Sequence, residues 1–202
     1  MGNTLIQEAL RLDSEATLFI NGLHTSWTDP VWQFLSSPII WFLLCIPMVA
    51  YSFLRLGWKR GLITFIALLL TVGLCGQTAN LVKLGFERLR PCWDEDLLEA
   101  GLRVLEGKGG DFGFFSAHAA NAMGLAVCSF LCLRFDRRRQ YRGYAWLAFI
   151  LAFLIGISRI FVGKHYLGDV MAGFLVGLAA GWLFAFLARL VMKRLPLSGE
   201  ET

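Results

Sequence analysis

The chain has 202 residues, of which 56% are hydrophobic and 17% charged, and its formal net charge is +4; its mean hydropathy is +0.59. A soluble domain of this size has about half its residues apolar and about a quarter charged. The composition therefore excludes an ordinary water-soluble fold, while the length suits one domain, 1–202, with no repeat, low-complexity tract or second domain.

Residues 1–30 come first and differ from the rest. In "TLIQEALRLDSEATLFINGLH", Leu5, Ile6, Leu10, Leu12, Leu18, Phe19 and Ile20 are set among charges. That pattern predicts an amphipathic helix lying in the membrane interface. It lacks a basic start followed by a long apolar stretch, so it does not read as a cleavable signal. Asp29-Pro30 then predicts a turn.

Five uncharged runs follow: Val31–Leu54, Gly61–Val82, Ala119–Leu133, Gly143–Ser158 and Val170–Ala188. A bilayer core needs roughly 20 helical residues. With flanking residues the runs predict spans at 31–54, 61–82, 116–134, 143–159 and 166–188, with an outer loop at 83–115. The expected fold class is all-α: an integral-membrane helical bundle of about five transmembrane helices plus the interfacial helix. Basic residues set its orientation. Arg55, Lys59 and Arg60 fall between the first two runs, Arg134, Arg137, Arg138, Arg139 and Arg142 between the third and fourth, and Lys193 and Arg194 in the tail. With five spans all three groups share one side, which the positive-inside rule makes cytoplasmic. Of five cysteines, Cys45, Cys75, Cys128 and Cys132 fall inside runs and Cys92 alone on the outer side, so no disulfide framework is indicated. Trp27, Trp32, Trp41, Trp58 and Trp93 read as interfacial anchors.

On the outer side, polar residues collect at span ends. In "KLGFERLRP", 83–91, Lys83, Glu87 and Arg90 would share a face if the helix continues, until Pro91 ends it. A basic collar snorkelling to the interface accounts for this cluster alone, but cations on the outer face run against the orientation rule. In "GFFSAHAANAMG", 113–124, Ser116 suits an N-cap and His118 falls in the first helical turn. Free N–H groups and the helix dipole there attract anions. In "SRIFVGKHYLGD", 158–169, His165 and Asp169 are four apart, so on a helix they share a face. A carboxylate that accepts one ring N–H leaves the other nitrogen free as nucleophile or base. A surface salt bridge of Asp169 with Arg159 or Lys164 is the plainer reading of that stretch taken alone. Lys164 itself points away from the neighbouring histidine on a helix and reads as a lipid-surface contact. Gln77 and Asn80 bond either a head group or neighbouring helices, and stay outside the candidate site.

The three clusters together suit a multiply charged oxyanion such as phosphate, which cationic forks bind bidentately. Two histidines with different neighbours suggest two tasks, attack on phosphorus and protonation of the departing oxygen.

The spacing Lys83-x6-Arg90-Pro91, then Ser116-x-His118, then Ser158-Arg159-x5-His165-x3-Asp169 resembles the type 2 phosphatidic acid phosphatase family, whose superfamily also holds bacterial acid phosphatases and vanadium haloperoxidases. The second motif departs from the family's usual Pro-Ser-Gly-His, reading Phe115-Ser116-Ala117-His118. The resemblance implies that His165 attacks phosphorus and forms a phosphohistidine, that Asp169 orients it, and that His118 protonates the leaving group. It gives Lys83, Arg90, Ser116 and Arg159 to the phosphoryl oxygens. It implies no metal, no other cofactor, and inhibition by vanadate. The expected substrate is a membrane lipid phosphate or diphosphate, such as undecaprenyl diphosphate, phosphatidylglycerol phosphate, phosphatidic acid or a lipid A phosphate. The expected setting is a bacterial inner membrane with the site facing the periplasm or outside. The bilayer and the lipid are the expected partners, with no nucleic acid and no protein partner. A transporter or flippase that uses the same cations without hydrolysis is the alternative, but transport predicts polar residues near mid-span. A haloperoxidase is a further one, although those relatives are soluble. Within 92–115, Leu98, Leu102 and Leu105 suggest a short helix on the bilayer, in a segment read either as a substrate lid or as an ordinary loop.

Overall fold

A computed structural model of the chain describes residues 2–195. It is helical nearly throughout. Among the described residues the β pairing is one isolated antiparallel bridge, Leu89 with Phe112. The helices are α1 (Gly2–Gly22), α2 (Asp29–Ser36), α3 (Ile39–Phe86), α4 (Glu95–Glu99), α5 (Ala117–Leu133), α6 (Arg142–Phe161) and α7 (Leu167–Met192). Three of them, α3, α6 and α7, are long and apolar enough to cross a membrane, and α5 is a shorter apolar helix.

Helix α3 is in fact two arms. Gly57 has φ 77° and ψ 170°, a conformation outside any helix that favours glycine. A Cβ on Gly61 would lie 2.9 Å from the Cα of Phe53, whereas eight residues along a straight helix are about 12 Å apart. The arms 39–56 and 58–86 therefore fold back on one another at Gly57. The apolar run from Val31 is not one helix: Ser37 and Pro38 separate α2 from α3, so the first long arm starts at Ile39.

Helix α5 is the central post, packing against α3, α6 and α7. Its seam with α7 is closed by glycines four apart. A Cβ on Gly177 would lie 2.3 Å from the Ala120 carbonyl oxygen, and one on Gly181 would lie 2.5 Å from that of Gly124. Small residues let helix backbones approach where lipid offers no hydrophobic drive to associate.

Helix α1 turns its apolar side outward and its polar stripe inward. Leu5, Ile6 and Phe19 are 72%, 62% and 70% exposed, while Thr17 and Asn21 are buried. Asp13, Thr17 and Asn21 lie four apart and all three bond the body of the protein. Gly168 N–H donates to Asp13 Oδ1 (2.7 Å) and Leu167 N–H to Thr17 Oγ1 (2.9 Å), satisfying free donors at the start of α7. Asn21 donates to the carbonyls of Arg103 and Ile160 (both 3.0 Å) and accepts from Arg103 N–H (2.9 Å).

Segment 87–116 caps one end of the bundle, and its details differ from expectation. The helix carrying Lys83 stops at Phe86, because Glu87 is left-handed (φ 47°). Lys83, Glu87 and Arg90 thus share no helical face. Residues 88–90 instead run extended beside 111–113, with Arg90 N–H donating to the Asp111 carbonyl (2.8 Å) and Gly113 N–H to that of Arg88 (2.9 Å). The leucines of 97–105 do not form a helix on the bilayer. α4 ends at Glu99, and Leu97 and Leu102 are buried against Tyr166.

Candidate active site

The start of α7 organises one end of the bundle. Asp169, in its first turn, is fully buried. Its Oδ2 accepts from Tyr166 N–H (3.1 Å) and faces His165 Nδ1 at 3.4 Å, while Oδ1 accepts from Arg88 Nη1 (2.9 Å). The imidazole contact is long, as such contacts commonly are without ligand, and with the other bonds in place it presents His165 Nδ1 to a fixed carboxylate. The turn 162–166 ties this histidine to α6: Lys164 and His165 N–H both donate to the Arg159 carbonyl, at 2.9 and 3.2 Å.

Arg159 reaches the same place from the end of α6. Its side chain is buried, and its Nη1 donates to the carbonyl and hydroxyl of Ser36 and lies 3.6 Å from Glu106. Its Nε is buried with no hydrogen-bond partner among the described residues. A buried guanidinium donor of this kind calls for an acceptor. Ser116 joins α5 to α7: its N–H donates to the Asp169 carbonyl (3.0 Å), and its Oγ caps α5 by accepting from Ala119 N–H (3.4 Å). His118, in the first turn of α5, packs 5.4 Å from the Trp41 ring and beside the Ser36 backbone. Arg90 is anchored by Nε donating to the Phe112 carbonyl (3.0 Å). A Cβ on Gly113 would touch both Arg90 Cγ (3.0 Å) and Asp169 Oδ2 (3.3 Å), so the arginine passes close to the carboxylate.

Electrostatics unites the set. His118 feels the charges of Arg159, His165 and Lys83, and Lys83 feels those of Arg90, Arg159 and Asp169. Burial, then the positive charges of Arg159, Arg90, Lys83 and Lys164, hold the His165 imidazolium well below its ordinary range, so the ring is neutral at neutral pH. All seven residues expected from the sequence, Lys83, Arg90, Ser116, His118, Arg159, His165 and Asp169, come together at this end of the bundle.

Several neighbours were not foreseen. Arg88, two residues before Arg90 on the extended segment, pairs with Asp13 (2.7 Å) as well as Asp169 and lies 3.8 Å over the Tyr166 ring. Tyr166 donates to Asp94 Oδ2 (2.7 Å). Lys164 is not a lipid contact: it is buried, and its Nζ donates to the carbonyls of Gly107 and Lys108, pinning 103–110 over the site. Nor are Trp32 and Trp41 simple anchors, since Trp32 stacks on Phe161 at 4.1 Å and Trp41 meets His118. Asp169's counter-ion is Arg88, not Arg159 or Lys164. Removing one partner of a buried ion pair strands the other charge. Arg88→Ala is therefore expected to destabilise the protein by about 3 kcal/mol, seen as a lower unfolding midpoint in detergent, with Arg88→Lys restoring part of the loss.

Residues 63–193 match the PAP2 superfamily. The chain belongs to that superfamily. All seven candidate residues of this PAP2 protein lie inside the matched stretch, whereas Asp13, Thr17, Asn21 and Ser36 lie before it. A lipid A 4'-phosphatase of Bacteroides thetaiotaomicron is 34% identical, over 94% of this chain and 84% of its own length. A lipid A 4'-phosphatase of Porphyromonas gingivalis is 29% identical, over 84% of this chain and 71% of its own length. The fold is similar to the crystal structure of a transmembrane PAP2-type phosphatidylglycerolphosphate phosphatase from Bacillus subtilis, with a TM-score of 0.65 and 22% identity over 96% of this chain and 89% of that one. This PAP2 protein is an integral-membrane enzyme that hydrolyses phosphate esters.

Proposed function

We propose that the protein removes a phosphate from a membrane lipid, and that its substrate is the 4'-phosphate of a lipid A-type glycolipid. The observation that carries the reading is the meeting of two imidazoles, a lysine, two arginines and a capped helix start at one end of an apolar bundle. A lipid held by its acyl chains would bring its phosphate to that level. The two lipid A 4'-phosphatases described above support this substrate over phosphatidic acid or a prenyl diphosphate. With the arms of α3 counted separately, the reading has five crossings, in a bacterial inner membrane, with the site facing outward and the basic connections in the cytoplasm.

In the proposed reaction Lys83, Arg90, Arg159 and the α5 N-terminus with Ser116 hold the phosphoryl oxygens. The free Nε2 of His165 attacks phosphorus in line. As the P–N bond forms, the P–O bond to the lipid breaks, and His118 gives its proton to the departing alkoxide. The bound phosphate's negative charge is what lets His118 carry that proton beside Arg159 and Lys83. His118 then takes a proton from water, the hydroxide attacks phosphorus, the P–N bond breaks, and inorganic phosphate leaves. Asp169 keeps the His165 Nδ1 proton in place throughout.

The test is to incubate purified protein with bis-phosphorylated lipid A in detergent containing EDTA and to locate the lost phosphate by mass spectrometry. Loss of one phosphate from the distal sugar, absent in His165→Ala, is the expected result. Turnover of phosphatidic acid or a prenyl diphosphate with lipid A untouched would overturn the substrate. Movement of lipid across vesicles without phosphate release would favour transport.

The pH profile carries a second expectation. A lowered imidazole pKa keeps His165 neutral and nucleophilic below the ordinary histidine range, and that form is lost only as pH falls through the lowered value. Lys164→Met removes a cation that depresses it, so the acid limb of kcat/KM should move to higher pH. Substrate phosphate ionises near pH ~6 in both proteins, so their difference isolates the histidine. Identical limbs would contradict this electrostatic account.

A further inference from the structure

The opposite end of the bundle holds a second anion-suited site. The Gly57 turn, the 134–141 connection and the end of α7 border an open cavity of about 790 Å³, lined among the described residues by seven basic side chains and one carboxylate, Asp136. That carboxylate is already engaged: it accepts from Arg55 Nη2 (2.9 Å), the Tyr141 hydroxyl (2.6 Å) and Arg138 N–H (3.1 Å). Among the described residues the lining thus carries an excess of positive charge, and Leu54, Leu56 and Phe135 give it apolar walls.

A narrower hollow of about 280 Å³, lined by Leu131, Trp182, Phe186 and Leu190, shares Arg189 and Lys193 with the cavity. Trp182 and Phe186 stack at 5.6 Å and are 58% and 47% exposed, so the hollow opens on the side of the bundle that faces lipid. The positive-inside rule accounts for basic residues at this end. It does not account for their lining one concavity that leads into an apolar groove. A free phosphate would use the cavity and have no need of the groove, whereas a phospholipid would use both. Basic pockets on the cytoplasmic side of membrane helices suit anionic head groups.

We propose that this end binds an anionic phospholipid of the inner leaflet as a non-substrate ligand, its phosphate against Arg134, Arg189 and Lys193 and one acyl chain along Trp182 and Phe186. The site is independent of the catalytic reading, because it shares no residue with it.

Purified protein in a neutral detergent is titrated with phosphatidylglycerol, phosphatidylcholine or inorganic phosphate while its unfolding midpoint is followed. The expected result is a saturable rise with phosphatidylglycerol alone. Half-saturation should move at least tenfold higher in an Arg189→Ala/Lys193→Ala variant and several-fold higher in Trp182→Ala. Retained hydrolysis by the variants shows that they are folded; should the double variant not fold, Arg134→Gln, on an exposed side chain, gives the same readout. Equal stabilisation by phosphatidylcholine, or half-saturation unchanged in the folded variants, would overturn the site. Saturable stabilisation by inorganic phosphate with no effect of Trp182→Ala would overturn the lipid and leave a small-anion site. Phosphatidylglycerol held only at the catalytic end would leave all these variants unchanged, and so counts against the proposal.

Discussion

His165→Ala should reduce phosphate release by about 10^4-fold or more, a loss of the size seen when a covalent nucleophile is removed. The expectation rests on position. His165 is held by its backbone to Arg159, is 2% exposed, and has Nδ1 turned to a carboxylate that Tyr166 and Arg88 fix. Burial and the surrounding cations keep its imidazole neutral and nucleophilic. The cationic cage survives the change, so product phosphate should still bind within a few-fold of the original affinity, whereas vanadate, which needs the imidazole as its fifth ligand, should bind much more weakly. Asp169→Asn should be a different kind of loss. The amide cannot balance Arg88 or favour the required tautomer, so both rate and stability should fall, whereas His165→Ala lowers the rate far more than the unfolding midpoint.

His118→Ala should lower steady-state turnover by about 10^2–10^4-fold, the range for removal of a general acid–base group, and the loss should depend on the leaving group. A sugar alkoxide needs a proton to leave, and nitrophenolate does not. With p-nitrophenyl phosphate the variant should therefore still transfer phosphate to His165, releasing a burst of nitrophenol about equal to the enzyme present. It should then stall, because in the proposed reaction the same imidazole activates water in the second step. Equal loss of the burst and of steady-state turnover with both substrates would make His118 a packing residue against Trp41.

Much of this was legible beforehand, and what was missed has definable causes. Uncharged runs predict membrane helices because lipid forbids unpaired backbone groups, and α6 and α7 fall where the runs lie. The spacing from Lys83 to Asp169 was readable because each motif sits at the end of an apolar run, where a polar residue needs a reason. Prediction went wrong where a backbone turn overrode periodicity. Glu87 in the left-handed region ends the helix that would have aligned Lys83, Glu87 and Arg90, and Ser37-Pro38 divides a run that composition alone makes continuous. Supporting residues were missed because their partners are remote in sequence: Asp13 and Arg88 are 75 residues apart, and Ser36 and Arg159 are 123 apart. One signal was available. Asp13, Thr17 and Asn21 recur every four residues on a helix that is otherwise apolar or charged at random, and such a stripe marks the face that meets protein, not lipid. Helical geometry does not apply to Lys164, because at 164–165 the chain is still in the turn before α7.

The central claim is a covalent bond between phosphorus and His165. Its most direct measurement is rapid acid-free quenching of His118→Ala with a ^32P-labelled phosphate ester, followed by peptide mapping. The account predicts a phosphoenzyme that is acid-labile and stable to alkali, carried by the peptide spanning 158–169 and absent when His165 is also replaced. No trapped label, together with inversion of configuration at a chiral phosphorus in the unmodified enzyme, would mean that water attacks directly, and the account would be contradicted.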